Sequence, residues 1–216
     1  MRAGTGDVIA LVPVRSLSGA KSRLGEPLDA EERAELILAL LRRTVEQALA
    51  ATCVAGVVVV STDEDLLECA RAMGAATVLQ VTDGLNAALD EALVTVAATA
   101  TAVIVIPADI PGVTGAAIDL LVMAARDAAA AAGSRGGPAV GLVPDQHGRG
   151  TNALFVMPPG AIPFQFGEDS RAAHAAAARS AGAAYVELDG PLGFDLDTPD
   201  DLLEADKRGL GHEAGR

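Results

Sequence analysis

The amino-acid sequence predicts an α/β protein, a three-layer α/β/α sandwich with a mostly parallel central sheet. Three observations carry this. Continuous aliphatic runs, rich in β-branched residues, stand at VIALVPV (8–14), VAGVVVVST (54–62) and VIVIP (103–107). An unbroken apolar run bounded by turn residues marks a strand buried on both faces, not one with a wet side. Longer stretches with helical spacing separate the runs, so strand and helix alternate, and parallel pairing through right-handed crossovers follows. Half of the 216 residues are apolar, yet only 2% are aromatic and Trp is absent. Val, Leu, Ile and Ala must then build the core, the composition of a parallel sheet covered by Ala-rich helices. The length suits one domain, with a core over 8–206 and a tail over 207–216 expected to fray.

The first strand, 8–14, leads into RSLSGAKSRLGEPL (15–28), a polar loop containing Gly19, Gly25 and Pro27. Asp29, with Glu32 three residues on, forms a capping box ahead of a helix over about 30–51. Leu36, Leu40, Val45 and Leu49 give that helix its core stripe. A second strand, 54–62, is followed by Asp63 and a helix over 64–73 that stops at Gly74. ATVLQV (76–81) is a third, shorter strand, and TDGLNAALDEAL (82–93) opens a third helix. The central strand, 102–107, precedes a helix over about 114–132 with Thr114 as N-cap. Beyond the surface loop GSRGGP (133–138) come a strand at 139–144, a Gly-punctuated turn and a strand at 152–157. An Ala-rich helix starts near Ser170, and a late strand covers 184–190. Thr198, Pro199 and Asp201 supply N-cap, N1 proline and N3 acid for the closing helix.

The formal net charge of −13 argues against nucleic acid or an anionic membrane as partner. It leaves room for a small phosphorylated substrate whose charge is met by local cations or a metal. Cys53 and Cys69 lack metal-ligand spacing and have no His beside them, so both are expected as reduced small hydrophobes. Asp7 interrupts the N-terminal region before any long apolar stretch. A cytoplasmic protein with no membrane span is expected.

Chemistry concentrates at strand ends. Asp109 is the first carboxylate after the central strand, where open α/β sheets bind ligands. A carboxylate there suits Mg²⁺, which keeps several waters and takes one or two carboxylates plus phosphate oxygens; the plainer alternative is a solvated turn or helix-capping Asp. Arg15, Lys21 and Arg23 put three cations in nine residues of the loop after the first strand, a place where phosphates are gripped. No Walker loop is present, and an ordinary solvated loop is the alternative. Asn86, in the first turn of the third helix, can read a base or sugar through its amide or simply cap the helix. GRGT (148–151) offers backbone N–H groups and the Thr151 hydroxyl to an anion, or is just a hairpin turn. Gly167 and Ser170 lie at a helix start suited to phosphate or carboxylate, Ser170 being otherwise the N-cap. His174, one turn inside, reads more readily as a surface or packing residue. Asp195 and Asp197 are two further carboxylates able to complete a metal site with Asp109, or, for Asp197, to cap the last helix. They alternate along an extended segment and are expected to diverge unless the backbone turns.

Taken in order, VPVRSLSGAKSRL (12–24), GLNAAL (84–89), IPADIP (106–111), GRGTNAL (148–154), FGEDSRAAH (166–174) and FDLDTPDDL (194–202) resemble the guanylyltransferases of deazaflavin coenzyme F-420 biosynthesis. These act on 2-phospho-L-lactate or phosphoenolpyruvate and have a GT-A-like nucleotidyltransferase fold. The resemblance covers about residues 8–206. It implies transfer of GMP from GTP to the phosphate of a three-carbon phospho-acid, releasing pyrophosphate. It implies that Arg15, Lys21 and Arg23 meet the GTP phosphates, with Lys21, Arg23 and Asp109 catalytic, and that Asn86 lies near the nucleoside. Asp109, Asp195 and Asp197 would hold Mg²⁺; Thr151, Gly167 and Ser170 would hold the phospho-acid. Arg15 stands where the family often has Lys, and a guanidinium fork is not a point charge. The nucleophile would be a phosphate already ionised at pH 7, so no general base is needed, and no Ser-His-Asp or Cys-His constellation is evident. A homodimer is one assembly open to such an enzyme. Two other readings stand beside it. One is a glycosyltransferase of related fold, for which Asp195-Leu196-Asp197 is formally a D-x-D although few aromatics exist to stack on a sugar. The other is a non-catalytic nucleotide-binding module.

Overall fold

The structure, a computed structural model, describes residues 8–16, 28–133 and 136–210. In chain order the strands are β1 (Val8–Pro13), β2 (Val54–Ser61), β3 (Ala76–Leu79), β4 (Ala102–Val105), β5 (Ala139–Pro144), β6 (Thr151–Met157) and β7 (Ala184–Glu187). The helices are α1 (Ala30–Ala50), α2 (Glu64–Ala72), α3 (Leu85–Val96), α4 (Gly115–Ala131), α5 (Ser170–Ser180) and α6 (Pro199–Lys207). The seven strands form one sheet in the order β3-β2-β1-β4-β6-β5-β7. β1 pairs in parallel with both β2 and β4, whereas β6 runs antiparallel to β4 and β5. The expected mostly parallel α/β/α sandwich is therefore present, with one reversed strand. That strand enters because the 145–150 turn is too short to hold a crossover helix, so β5 and β6 meet as a hairpin.

Strand alternation divides the core between two faces. Val8, Ala10 and Val12 of β1 pack with α1, α2 and α4, while Leu11 joins Val58, Val60, Val103 and Val105 under α3 and α5. Every residue of β4 is buried, as an apolar run in the middle of a covered sheet requires. A third cluster sets Phe194 and Leu196 against Leu36 and Leu40 of α1 and Ala205 of α6.

The helix starts follow their local chemistry. Asp29 and Thr198 both form capping boxes, and Thr114 accepts from the Ala117 N–H. α3 begins three residues later than expected, at Leu85, with Gly84 as N-cap at φ +98°. Residues 81–84 are instead an irregular connection whose amides at Val81 and Thr82 are taken by the Glu91 carboxylate. The N-cap of α5 is Asp169, in the left-handed region, so Ser170 is the first helical residue and not the cap. Among the described residues no helix is long and apolar enough to cross a membrane.

Candidate active site

The strand order reverses between β1 and β4, and a crevice opens beyond the carboxyl ends of strands at such a point. A cleft of 750 Å³ lies there. One side is built from the ends of β1, β2 and β3, bringing Arg15, Ser16, Thr62, Gln80 and Leu85 to its wall. The other side is built from the ends of β4 and β6, the start of α5 and the segment before α6. It presents Asp109, Thr151, Gly167, Ser170, Asp195 and Asp197. Residues spread from Arg15 to Asp197 in sequence thus face one cavity. Lys21 and Arg23 lie outside the described residues.

The expected divergence of Asp195 and Asp197 does not occur. Side chains two apart on extended backbone share a face. Phe194 and Leu196 turn inward to the cluster on α1, and the two carboxylates between and beyond them line the cleft. Asp195 accepts a hydrogen bond from Asn152 Nδ2 at 3.1 Å. Burial pushes its carboxyl up to about 6; the like charges of Asp109 and Asp197 add to the rise, and the Asn152 bond opposes it. Asp195 therefore lies within electrostatic reach of both Asp109 and Asp197. Among the described residues no three His, Cys, Asp or Glu side chains cage an ion by themselves. Mg²⁺ does not ask for such a cage, because it retains waters and accepts phosphate oxygens. Crowded hard carboxylate oxygens beside open cavity space fit that ion.

The phospho-acid candidates sit in a tightly tied corner. Thr151 and Ser170 are only 7% and 1% exposed. The hairpin tip is clamped to the start of α5: Arg149 pairs with Glu168 and Asp169, its carbonyl accepts from the Arg171 N–H, and Arg171 pairs with Glu187. Arg149 and Arg171 are thus occupied as structural ties. The Asp145 carboxylate folds back onto the same turn, accepting from the Arg149 N–H. A Cβ at position 150 would stand 2.6 Å from Asp145 Oδ2, which is why Gly serves there.

Asn86 has a different neighbourhood from the one expected. Its amide donates to the Phe166 carbonyl at 3.0 Å and accepts from the Phe166 N–H at 2.8 Å. Both ends of the amide are spent on the loop leading to Gly167 and Ser170, and Phe166, not Asn86, lines the cavity. Two residues escaped the sequence reasoning as site components. Asn152 showed itself only as a polar residue beside Thr151 in an otherwise apolar strand. His174, expected as a surface or packing residue, is fully buried, as the packing alternative requires, and its Nδ1 lies 3.1 Å from Thr151 Oγ1.

The chain has relatives among known proteins. The family model described as "Guanylyl transferase CofC like" matches residues 8–214. A phosphoenolpyruvate guanylyltransferase of Rubrobacter xylanophilus is 42% identical over 94% of this chain and 95% of its own length. One of Sphaerobacter thermophilus is 44% identical over 91% of each chain. Among solved structures, a nucleotidyl transferase from Methanothermobacter superposes with a TM-score of 0.65, covering 94% of this chain and 98% of its own, at 17% identity, and so supports the fold. With a matched model spanning nearly its whole length, and these relatives beside it, the chain belongs to the CofC-like guanylyl transferase family.

Proposed function

We propose that this protein transfers GMP from GTP to the phosphate of phosphoenolpyruvate, releasing pyrophosphate, as a step of coenzyme F-420 biosynthesis. Support comes from the relatives' activity and, above all, from one observation: Asp109, Asp195 and Asp197 share a cleft with Thr151 and Ser170. The GTP side is the wall formed by β1 to β3 and α3, where Arg15 meets phosphate and Lys21 and Arg23 of the same loop act with it. The phospho-acid side is the corner of Thr151, Gly167 and Ser170.

The reaction joins two anions in an acidic cleft. Asp109, Asp195 and Asp197 would hold Mg²⁺, which would supply charge neutralisation and Lewis-acid chemistry at the phosphates. The chain's own part is positioning and charge. Thr151 and Ser170 hold the phospho-acid so that its phosphate oxygen faces the α-phosphorus. Arg15, Lys21 and Arg23 meet the charge that grows on pyrophosphate. Tight packing of Leu196 and Phe194 keeps the acidic segment in place while this happens.

The test is a substrate panel: GTP and other nucleoside triphosphates against phosphoenolpyruvate, 2-phospholactate and 3-phosphoglycerate, with Mg²⁺, followed by pyrophosphate release. Turnover is expected with GTP and phosphoenolpyruvate. No pyrophosphate with any phospho-acid would overturn the proposal.

A further inference from the structure

His174 lies in the phospho-acid corner, behind the cavity wall rather than on it; among the residues that line the cavity, it hydrogen-bonds with Thr151 and packs against Phe166. Its two ring nitrogens have unlike partners. Nε2 is 3.0 Å from the Gln165 backbone nitrogen, which carries a hydrogen and can only donate. Nε2 must therefore be the unprotonated, accepting nitrogen. Burial pushes the imidazole down to about 4, so the ring is neutral at pH 7 and its single hydrogen sits on Nδ1. Nδ1–H then donates to Thr151 Oγ1 at 3.1 Å. A hydroxyl has one hydrogen to give. With the imidazole filling an acceptor position of Oγ1, the Thr151 hydrogen is turned away from His174, toward the cleft that Thr151 lines.

We infer that His174 is a positioning residue that sets the Thr151 hydroxyl as an obligate donor to an oxyanion of the phospho-acid. The inference rests on the phospho-acid corner proposed above. The arrangement explains how a fixed donor can be aimed at an anion without a further cation. The ring is held in turn: Phe166 packs edge-on to it, with centroids 5.1 Å apart at 71°, and Asn86 grips Phe166 by its backbone. Imidazole orientation, tautomer and hydroxyl direction are thereby set before substrate arrives, and preorganised donors lose little on binding.

Two substitutions separate the halves of the ring. In His174→Asn the amide reaches about as far as Nδ1 and keeps a donor toward Thr151. In His174→Gln the amide reaches about as far as Nε2 and keeps an acceptor toward Gln165. His174→Gln is expected to raise the phosphoenolpyruvate KM about tenfold, the loss of one hydrogen bond's direction onto a charged group, with the GTP KM little changed. His174→Asn should recover most of that loss. In a Thr151→Val background His174→Gln should add nothing further, because the effect passes through the hydroxyl. Nitrogen-15 NMR of the parent at pH 7 should show the Nδ1–H tautomer, a readout independent of turnover. An Nε2–H or imidazolium signal, a Gln variant milder than the Asn variant, or additive losses in the double variant would each overturn the inference. A Thr151→Val enzyme with an unaltered phosphoenolpyruvate KM would instead overturn the corner assignment itself, and the inference with it. Thermal melting of each variant distinguishes these outcomes from failure to fold.

Discussion

The backbone N–H of Leu196 donates to the carbonyl of Asp109 at 3.0 Å, tying the segment that carries Asp195 and Asp197 to the turn that carries Asp109. A second tie lies three residues beyond Asp109 and five residues before Leu196. Gly112 packs so close to Pro191 that a Cβ would stand 2.6 Å from the Pro191 carbonyl oxygen. Main-chain bonding and packing thus help to hold together carboxylates that repel one another. Bringing like charges together costs free energy, and a bound cation would return it.

Asp109→Asn is therefore expected to lower turnover about 100-fold or more, the scale of losing a group that meets transition-state charge. Asp109 stands outside the buried run of β4, so the melting temperature should stay close to the parent's. Pyrophosphate release at saturating Mg²⁺, with circular-dichroism melting alongside, checks both halves. Unchanged turnover would remove Asp109 from the catalytic machinery.

Asn152 orients Asp195 through its amide. Partners that orient ligating groups matter to metal affinity by about 10- to 100-fold. Asn152→Ala should raise the Mg²⁺ concentration for half-maximal activity about tenfold, read by metal titration at fixed GTP. An unmoved titration curve would show that the Asn152 bond does not serve a metal.

Asn86→Ala removes two hydrogen bonds to the Phe166 main chain. The cost should be about 1–3 kcal/mol of stability, since the part-buried backbone groups lose their partner. Because Phe166 leads directly to Gly167 and Ser170, the phosphoenolpyruvate KM should rise more than the GTP KM. The reverse order would restore Asn86 to the nucleoside.

His174 makes stability depend on pH. Its folded-state pKa, about 4, lies below the ordinary 6.5. Between those values the unfolded chain binds the proton and the native chain does not. The contribution is complete above pH 6.5 and is lost as pH falls through 4. The loss should approach roughly 3 kcal/mol. Urea denaturation at pH 7, 5 and 4, compared with His174→Asn to cancel other titrating groups, should show the parent losing more stability on acidification. Parallel loss in both proteins would contradict a buried neutral imidazole.

Local pattern carried most of the architecture. The apolar runs of β1, β2 and β4, the capping residues Asp29, Thr114 and Thr198 and the stop at Gly74 act over a few residues, so their meaning is present in the chain itself. Asp109 after its strand and Ser170 beside Gly167 stand out for the same reason. Only tertiary structure decided the rest. That Asn86 holds Phe166, eighty residues away, and that His174 meets Thr151, depends on how α3, α5 and the β5–β6 hairpin pack. Such partnerships follow from the sheet order, in which β6 lies reversed between β4 and β5. Hydrogen bonds between residues far apart in sequence leave no periodicity to read, because their geometry exists only after the core has closed.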